Sequence, residues 1–300
     1  MTNNHAISLS GVFPPIPTPF DAQGSVSLPD LVENLERWNH YDLAGYVVLG
    51  SNGEAVYLTE EEKILVWKTA RGAIPSTKLM IAGTGCESTQ QTIDLTARAA
   101  DAGADAAMVV TPHYFSSRMT KDSLVLHYDS VAEASRIPIV LYNVPKFTNV
   151  DMDAATIAPA SHHPNIIGVK DSSGDIAKLA DVVRLADPSF QVLAGTGSFF
   201  FAGLSLGAVG GVLALANVAP QESVDIHRLY QAGQWDDAAA LQRRMLPVNR
   251  AVTAQFGIPG LKAALDMLGL YGGPVRAPLL DLPEGDRESL RGILSEAGLL

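Results

Sequence analysis

The chain has 300 residues, of which 47% are hydrophobic, and it carries a formal net charge of -11 with a sequence pI near 5.0. This length accommodates two ordinary domains or a single α/β barrel, since barrels commonly form one unit of about 250 residues or more. The acidic balance, without a block rich in Lys and Arg, argues against nucleic-acid binding because an acidic surface repels phosphate backbones. These properties favour an enzyme that acts on a small molecule.

Short apolar runs alternate with longer amphipathic segments through about the first 230 residues. The predicted strands are 11–13, 45–49, 79–82, 106–110, 137–142, 166–170, 191–194 and 209–214. The predicted helices are 30–42, 59–73, 88–102, 120–135, 152–160, 175–186, 198–206 and 220–232. Thr59 and Ser88 stand where capping boxes would open two of them. Eight strand–helix repeats with near-continuous apolar strands predict an α/β fold, a parallel (β/α)8 TIM barrel over residues 1–233.

A further helical region follows at 234–300, with predicted breaks at Pro247, 257–260 and 272–274. No flexible linker separates it from the barrel, so we expect a helical extension packed on the barrel's side.

The cellular setting is predicted from what the sequence lacks. The single cysteine, Cys86, excludes an internal disulfide and suits a reducing compartment. The seven histidines are scattered, so no metal and no cofactor is predicted. Residues 1–10 resemble neither a secretory signal nor a transit peptide, and no apolar run reaches the ~20 residues that span a bilayer. We expect a cytoplasmic protein without membrane partners.

Lys170 is the most informative residue, because it ends an uncharged run and a barrel carries its chemistry at the C-terminal ends of its strands. Of the eight lysines, only Lys146 and Lys170 follow a predicted strand closely, and Lys146 lies four residues beyond it on a loop. Alternation along the strand points Ile166, Gly168 and Lys170 into the barrel. The preceding strand ends in Tyr142. A desolvated amine beside a phenol predicts imine chemistry on a carbonyl substrate.

Two less specific interpretations stay open at this stage. Lys170 could be a buried lysine paired with a carboxylate such as Asp171 or Glu54, although fully buried lysines are rare. Tyr142 could be a core aromatic whose hydroxyl bonds to the backbone.

A small polar loop, residues 50–54, directly follows the second predicted strand. Its two glycines, with Ser51 and Asn52 between them, could present backbone amides and polar side chains to a carboxylate. An ordinary strand-to-helix turn explains the local spacing equally well.

Four motifs in this order resemble the dihydrodipicolinate synthase and N-acetylneuraminate lyase family across essentially the whole chain. They are Gly50-Ser51-Asn52-Gly53-Glu54, Thr111-Pro112-His113-Tyr114, Leu141-Tyr142-Asn143-Val144-Pro145 and Gly168-Val169-Lys170-Asp171. The resemblance implies a (β/α)8 barrel with a C-terminal helical extension, assembled as a homotetramer or homodimer, that forms a Schiff base with pyruvate or a related 2-oxo acid.

The same resemblance implies roles for individual residues. Lys170 would form the imine and Tyr142 would shuttle protons. Tyr114 would reach the active site of a neighbouring subunit, and Ser51 with Asn52 would hold the 2-oxo carboxylate. Two further residues, Ser172 and Gly195, would shape the rest of the substrate pocket.

Two departures from the family pattern narrow the expected substrate. Ser51-Asn52 replaces a pair of threonines usual in dihydrodipicolinate synthases, and Phe147 replaces an arginine that binds a substrate carboxylate there. Longer stretches resemble the 4-hydroxy-2-oxoglutarate aldolases of the family, among them 83–90, 103–112, 207–212 and 256–262. The resulting hypothesis is a class I aldolase, a carbon–carbon lyase that cleaves 4-hydroxy-2-oxoglutarate to pyruvate and glyoxylate.

Three alternatives remain open. An aldolase or dehydratase for a longer 2-keto-3-deoxy sugar acid, or dihydrodipicolinate synthase itself, would use the same lysine imine. A non-catalytic 2-oxo acid binding protein would keep the fold without the chemistry.

Overall fold

The computed structural model describes residues 7–300, which form nine parallel strands surrounded by helices. The strands are β1 (Gly11–Phe13), β2 (Pro15–Ile16), β3 (Gly45–Val48), β4 (Leu79–Gly83), β5 (Ala106–Val110), β6 (Ile139–Asn143), β7 (Ile166–Asp171), β8 (Gln191–Ala194) and β9 (Gly210–Val212). Their order in the sheet is β1-β9-β8-β7-β6-β5-β4-β3-β2.

The first predicted strand coincides with β1, and a second short strand that was not predicted, β2, follows it after Pro14. β1 pairs with β9 and β2 pairs with β3, so this one segment joins both edges of the sheet. A proline has no N–H to donate, but the Pro14 carbonyl accepts a hydrogen bond from the Val47 N–H at 3.0 Å. Because β1 and β2 together occupy one strand position, the nine strands form an eight-position parallel barrel. The predicted fold is confirmed.

One predicted side-chain direction is wrong, that of Ile166. The register of β6 with β7 moves from Ile139↔Ile166 to Val140↔Gly168, which is a β-bulge. Ile166 therefore packs in the outer layer, whereas Ile167 contacts the barrel interior. Beyond the bulge the alternation holds. A Cβ on Gly168 would lie 2.3 Å from the Gln191 carbonyl oxygen, so the close approach of β8 requires glycine there.

The barrel interior and the outer layer are separate apolar clusters around β6. Val140 and Tyr142 belong to the interior cluster with Phe13 and Leu193. Leu141 packs instead in the layer between the strands and the helices. Strand alternation thus points Tyr142 into the barrel and the next residue, Asn143, toward the helices.

Nine α-helices surround the strands between residues 7 and 231. They are α1 (Leu28–Trp38), α2 (Glu60–Ala73), α3 (Thr89–Asp101), α4 (Lys121–Ala134), α5 (Pro145–Thr148), α6 (Ala154–Ala160), α7 (Ile176–Leu185), α8 (Phe200–Ser205) and α9 (Pro220–Gln231). Most are shorter than predicted by one or two residues at an end, whereas α1 begins two residues earlier and ends four residues earlier than predicted, and α5 was not predicted. Thr59 and Glu62 form the predicted capping box of α2. Ser88 caps α3 by accepting a hydrogen bond from the Gln91 N–H.

The C-terminal region contains α10 (Trp235–Arg250), a π-helical turn (Ala251–Gln255), α11 (Gly257–Met267) and α12 (Glu284–Glu296). The predicted break at Pro247 is wrong, because α10 continues through it; the fixed φ of proline is compatible with a helix at the cost of one hydrogen bond. The break falls at Gly257, whose φ is +60°, and Pro259 then lies in the first turn of α11.

The extension shares its apolar core with the barrel, since Met245 and Leu261 pack in one cluster with Leu213 and Leu215. The boundary between 233 and 234 as a domain division stays a prediction. Within residues 7–300 no helix combines the length and apolarity that a membrane span requires.

Candidate active site

Lys170 and Tyr142 are direct partners at the C-terminal ends of β7 and β6. Both side chains are buried, and Lys170 is 5% exposed. The Lys170 Nζ lies 3.9 Å from the centroid of the Tyr142 ring, within the distance of a cation–π contact. The structure therefore brings together the amine and the phenol that the sequence predicted as a pair.

The carboxylates that could have neutralised Lys170 are engaged elsewhere. Asp171 lies 3.4 Å from the Nζ of Lys178, and Glu54 lies 2.6 Å from the Nζ of Lys262. Among residues 7–300 no salt bridge joins Lys170 to a carboxylate. The Tyr142 hydroxyl makes no backbone hydrogen bond in this part of the chain, and its neighbour is the Ser51 Oγ at 3.4 Å. The two less specific interpretations of this pair are thus not supported.

The loop after β3 is strained rather than an ordinary turn. It holds a 3₁₀ turn, Ser51–Gly53, between two residues with left-handed backbone, Leu49 (φ 62°) and Glu54 (φ 54°). Non-glycine residues adopt this region at a cost and often at functional sites. The Nδ2 of Asn52 is buried without a hydrogen-bond partner among the described residues. Since a buried donor without a partner is costly, this amide is available to an anion.

Ser172 and Gly195 are brought together at the ends of β7 and β8. The Ser172 Oγ donates to the Gly195 carbonyl at 3.3 Å, and the Gly195 N–H donates to the Asp171 carbonyl at 2.7 Å. A Cβ on Gly195 would lie 2.0 Å from the Ser172 Oγ. Only glycine therefore fits at position 195 in this arrangement.

A cavity of about 370 Å³ opens beside Tyr142 at this end of the barrel. Its wall includes Ser51 and Tyr142, together with Val56, Leu95, Met108, Val144 and Leu279. Several predicted site residues contribute no wall to it, among them Asn52, Lys170, Ser172 and Gly195. The contact between Lys170 and the Tyr142 ring is what connects the lysine to this space. Phe147 lies on the wall and is 55% exposed. Lys63 is the one Lys or Arg side chain among the described residues that line the cavity.

Tyr114 stands apart from this cluster. Its side chain is 78% exposed and contacts Phe115 edge to face, with ring centroids 4.9 Å apart. Glu87 fixes its backbone by accepting hydrogen bonds from the N–H groups of His113 and Tyr114 at 3.0 and 2.8 Å. Within one chain, Tyr114 lines no part of the cavity beside Tyr142.

Several residues that support this site were not predicted from the sequence. Asn143 and Asp171 follow Tyr142 and Lys170 directly, so adjacency along the chain was an available indication. Nothing in the sequence indicated Glu87, Lys178 and Lys262, because their contacts join segments that are far apart in the chain. No group of three or more His, Cys, Asp or Glu side chains within residues 7–300 is arranged to hold a metal ion.

A closed parallel barrel with a buried, unneutralised lysine at a strand end, in register with a tyrosine, defines the class I, imine-forming barrel enzymes. Residues 8–297 match the Dihydrodipicolinate synthetase family. The chain belongs to that family, as the motifs predicted, and it is a carbon–carbon lyase of the pyruvate-dependent class I aldolase type. The alternative of a non-catalytic binding protein is therefore wrong.

Named relatives cover nearly the whole chain. A 4-hydroxy-tetrahydrodipicolinate synthase of Methanothrix thermoacetophila is 37% identical, with 95% of this chain and 96% of that protein aligned. Its counterpart from Pseudomonas putida is 36% identical, over 97% and 99% of the two chains. The crystal structure of the Acinetobacter baumannii dihydrodipicolinate synthase complexed with pyruvate superposes with a TM-score of 0.93 at 32% identity, over 98% of this chain and 100% of that one. These relatives carry the synthase name and not the aldolase name.

Proposed function

We propose that the protein is an aldolase that cleaves 4-hydroxy-2-oxoglutarate to pyruvate and glyoxylate through an imine on Lys170. The observation that carries the proposal is the 3.9 Å contact of a lysine amine, free of a carboxylate partner within residues 7–300, with the Tyr142 ring. An amine in this setting can act as a nucleophile, and a phenol beside it can move protons to and from the bound substrate.

The first steps belong to Lys170. Its amine adds to the C2 carbonyl carbon, and loss of water gives an iminium linking the nitrogen to C2. Ser51 and Asn52 hold the neighbouring C1 carboxylate, the asparagine through the buried Nδ2 that has no other partner among the described residues. Orienting the carboxylate in this way fixes the reacting carbon relative to the amine.

Bond cleavage follows from the iminium. Tyr142 gives its proton to the hydroxyl that leaves as water when the iminium forms, and the resulting phenolate accepts the C4 hydroxyl proton, directly or relayed through Tyr114 of a neighbouring copy. The C3–C4 electron pair then moves into the iminium, and glyoxylate leaves. The remaining enamine takes a proton at C3, and water hydrolyses the resulting iminium to release pyruvate and the free amine. Ser172 and Gly195 shape the space around the departing half of the substrate.

Position 147 departs from the pattern that the resemblance gives for dihydrodipicolinate synthases. The resemblance predicts an arginine here in dihydrodipicolinate synthases, where it binds a substrate carboxylate. This chain has an exposed phenyl ring on the cavity wall, and no described residue lining that wall is an arginine. A neutral ring cannot replace the bidentate hydrogen bonds of a guanidinium.

The relatives favour a second candidate, the synthesis of 4-hydroxy-tetrahydrodipicolinate, because the proteins 37% and 36% identical to this chain bear that name. In that reaction the same Lys170 enamine would attack an aldehyde, whereas in the cleavage reaction the enamine forms as an aldehyde leaves. Removing pyruvate from the product leaves a four-carbon aldehyde that carries the ring nitrogen as an amine and the second carboxylate, which is the composition of aspartate semialdehyde.

Borohydride trapping tests the shared chemistry. With pyruvate present, reduction should attach a three-carbon adduct to Lys170, located by peptide mapping. Lys170→Ala should give no adduct, and Lys146→Ala, at an exposed position of α5, serves as the matched control. Tyr142→Phe should keep the adduct while turnover falls by ~10²- to 10⁴-fold. An unmodified Lys170 would refute the imine.

A substrate panel separates the two candidates. We would compare kcat/KM for pyruvate release from 4-hydroxy-2-oxoglutarate and from 2-keto-3-deoxy sugar acids with that for condensation of pyruvate and aspartate semialdehyde. Preference for the condensation, or for a sugar acid, would contradict the proposed substrate.

We also propose a cytoplasmic homo-oligomer, a homotetramer or homodimer, because the exposed Tyr114 and Phe115 would be covered by a second copy.

A further inference from the structure

A buried polar cluster lies directly behind Lys170 and Tyr142, on the outer side of the same two strands. The register that pairs Tyr142 with Lys170 also pairs Asn143 with Asp171. Since successive strand residues alternate between the two faces, these partners point away from the barrel interior. Both are almost fully buried, Asn143 at 0% and Asp171 at 2% exposure.

Asn143 uses its whole side-chain amide in this cluster. Its Nδ2 donates to Asp151 at 2.8 Å and to Asp171 at 3.3 Å, and its Oδ1 accepts from the Met152 N–H at 3.0 Å. One side chain thus joins the end of β6 to the end of β7 and to the segment that follows α5.

Lys178 on α7 supplies the charge that two carboxylates in the cluster need. Its Nζ lies 3.4 Å from the Asp171 Oδ2 and contacts the Asp151 Oδ1 more closely. The Lys178 and Asp171 side chains are 9% and 3% exposed, so solvent screens their contact little, whereas Asp151 is 54% exposed. The other carboxylate oxygen of Asp171, Oδ1, accepts a hydrogen bond from the Ser173 N–H at 2.7 Å. Removing Lys178 would leave Asp171 as a buried charge without a cation, which is costly and favours any shift of the strand end that brings the carboxylate to solvent.

We propose that Asn143, Asp171 and Lys178 are positioning residues that set the separation of the Lys170 amine from the Tyr142 phenol. The inference rests on the proposed imine chemistry of that pair. Each catalytic residue is covalently next to a member of the cluster, so a shift at the cluster displaces the amine or the phenol. Proton transfer between bound substrate and phenol is sensitive to such shifts, because a misplacement of about 1 Å can cost ~10²-fold in rate.

Deuterium exchange at C3 of pyruvate isolates this step without the full substrate. The protein forms the imine, a base removes a C3 proton, and D₂O returns a deuteron, which NMR detects. Rates are divided by the number of active sites that borohydride traps with pyruvate. If a substitution only reduces the fraction of folded protein, the exchange rate per trapped site stays at the wild-type value.

We expect Lys178→Met to form the adduct at saturating pyruvate and to exchange roughly 10- to 100-fold more slowly per site. Lys178→Arg should recover most of the rate, because a guanidinium can bind both carboxylates. Arg184→Met, on the same helix in an exposed pair with Asp181, is the matched control and should match the wild type.

Asp171→Asn provides a second test with an isosteric change. Its amide cannot accept at both oxygen positions, so the same slow exchange is expected. Wild-type exchange per site in a folded Lys178→Met or Asp171→Asn protein would overturn the positioning role. Absence of an adduct on wild-type Lys170 would instead refute the proposed function, and the two failures are thereby distinguished.

Discussion

Replacing Lys262 by methionine should destabilise the protein and weaken binding of the 2-oxo acid together. Lys262 lies on α11 in the C-terminal extension, and its Nζ is 2.6 Å from the Oε1 of Glu54. Glu54 directly follows the Ser51–Gly53 turn, so this ion pair ties the extension to the loop proposed to hold the substrate carboxylate. The Arg276 N–H donates to the other carboxylate oxygen at 2.8 Å.

The burial of this pair sets the size of the effect. The side-chain exposures are 1% for Lys262 and 0% for Glu54. Burial lowers the pKa of Lys262, and the Glu54 carboxylate opposes that change. Removing one partner of such a pair leaves an uncompensated buried charge and costs about 3–5 kcal/mol of unfolding free energy.

Denaturation followed by circular dichroism at neutral pH, combined with steady-state kinetics, measures both effects. We expect Lys262→Met to raise KM for the 2-oxo acid more than it lowers kcat, since Lys170 and Tyr142 are untouched. Glu54→Gln combined with Lys262→Met should cost less than the sum of the single changes. Lys68→Met, on the exposed face of α2, is the control. A loss below about 1 kcal/mol in Lys262→Met would refute the reasoning, because only solvated pairs contribute so little.

Three further outcomes are expected. Burial lowers the pKa of His127 to about 4, so this imidazole is neutral when folded; the stability present above pH 6.5 should fall by roughly 3 kcal/mol as the pH drops toward 4, and His127→Gln should flatten that part of the stability curve. Gly195→Ala places a Cβ 2.0 Å from the Ser172 Oγ and 2.5 Å from the Asp171 carbonyl oxygen, and it should cost about 1–3 kcal/mol in thermal unfolding, whereas an unchanged melting curve would show that the ends of β7 and β8 move apart freely. Phe147→Arg should raise condensation relative to cleavage about tenfold in kcat/KM, and an unchanged ratio would remove position 147 from the specificity argument.

Much of the catalytic pair was predictable because it depends on local patterns. Lys170 and Tyr142 each end an apolar run, and parallel strands place such ends on one face of a barrel. Ser172 and Gly195 meet for the same reason. The predicted side-chain direction was wrong at Ile166, because the bulge adds a residue to β7 and the apolar run gives no sign of it. The predicted helix break at Pro247 was wrong, because a helix can continue through proline when tertiary packing holds the helical segments before and after it.

The sequence by itself determined the fold class, the strand that carries the amine and the family, because these follow from periodicity and from short contiguous motifs. Only the tertiary structure decided which charges neutralise one another. Asp171 and Glu54 were both possible partners of Lys170 in sequence, but Lys178 and Lys262 bind them instead. Charge pairing depends on distances of a few ångströms between segments far apart in the chain, and no local pattern encodes those distances. That pairing is what leaves Lys170 beside Tyr142 without a carboxylate among the described residues.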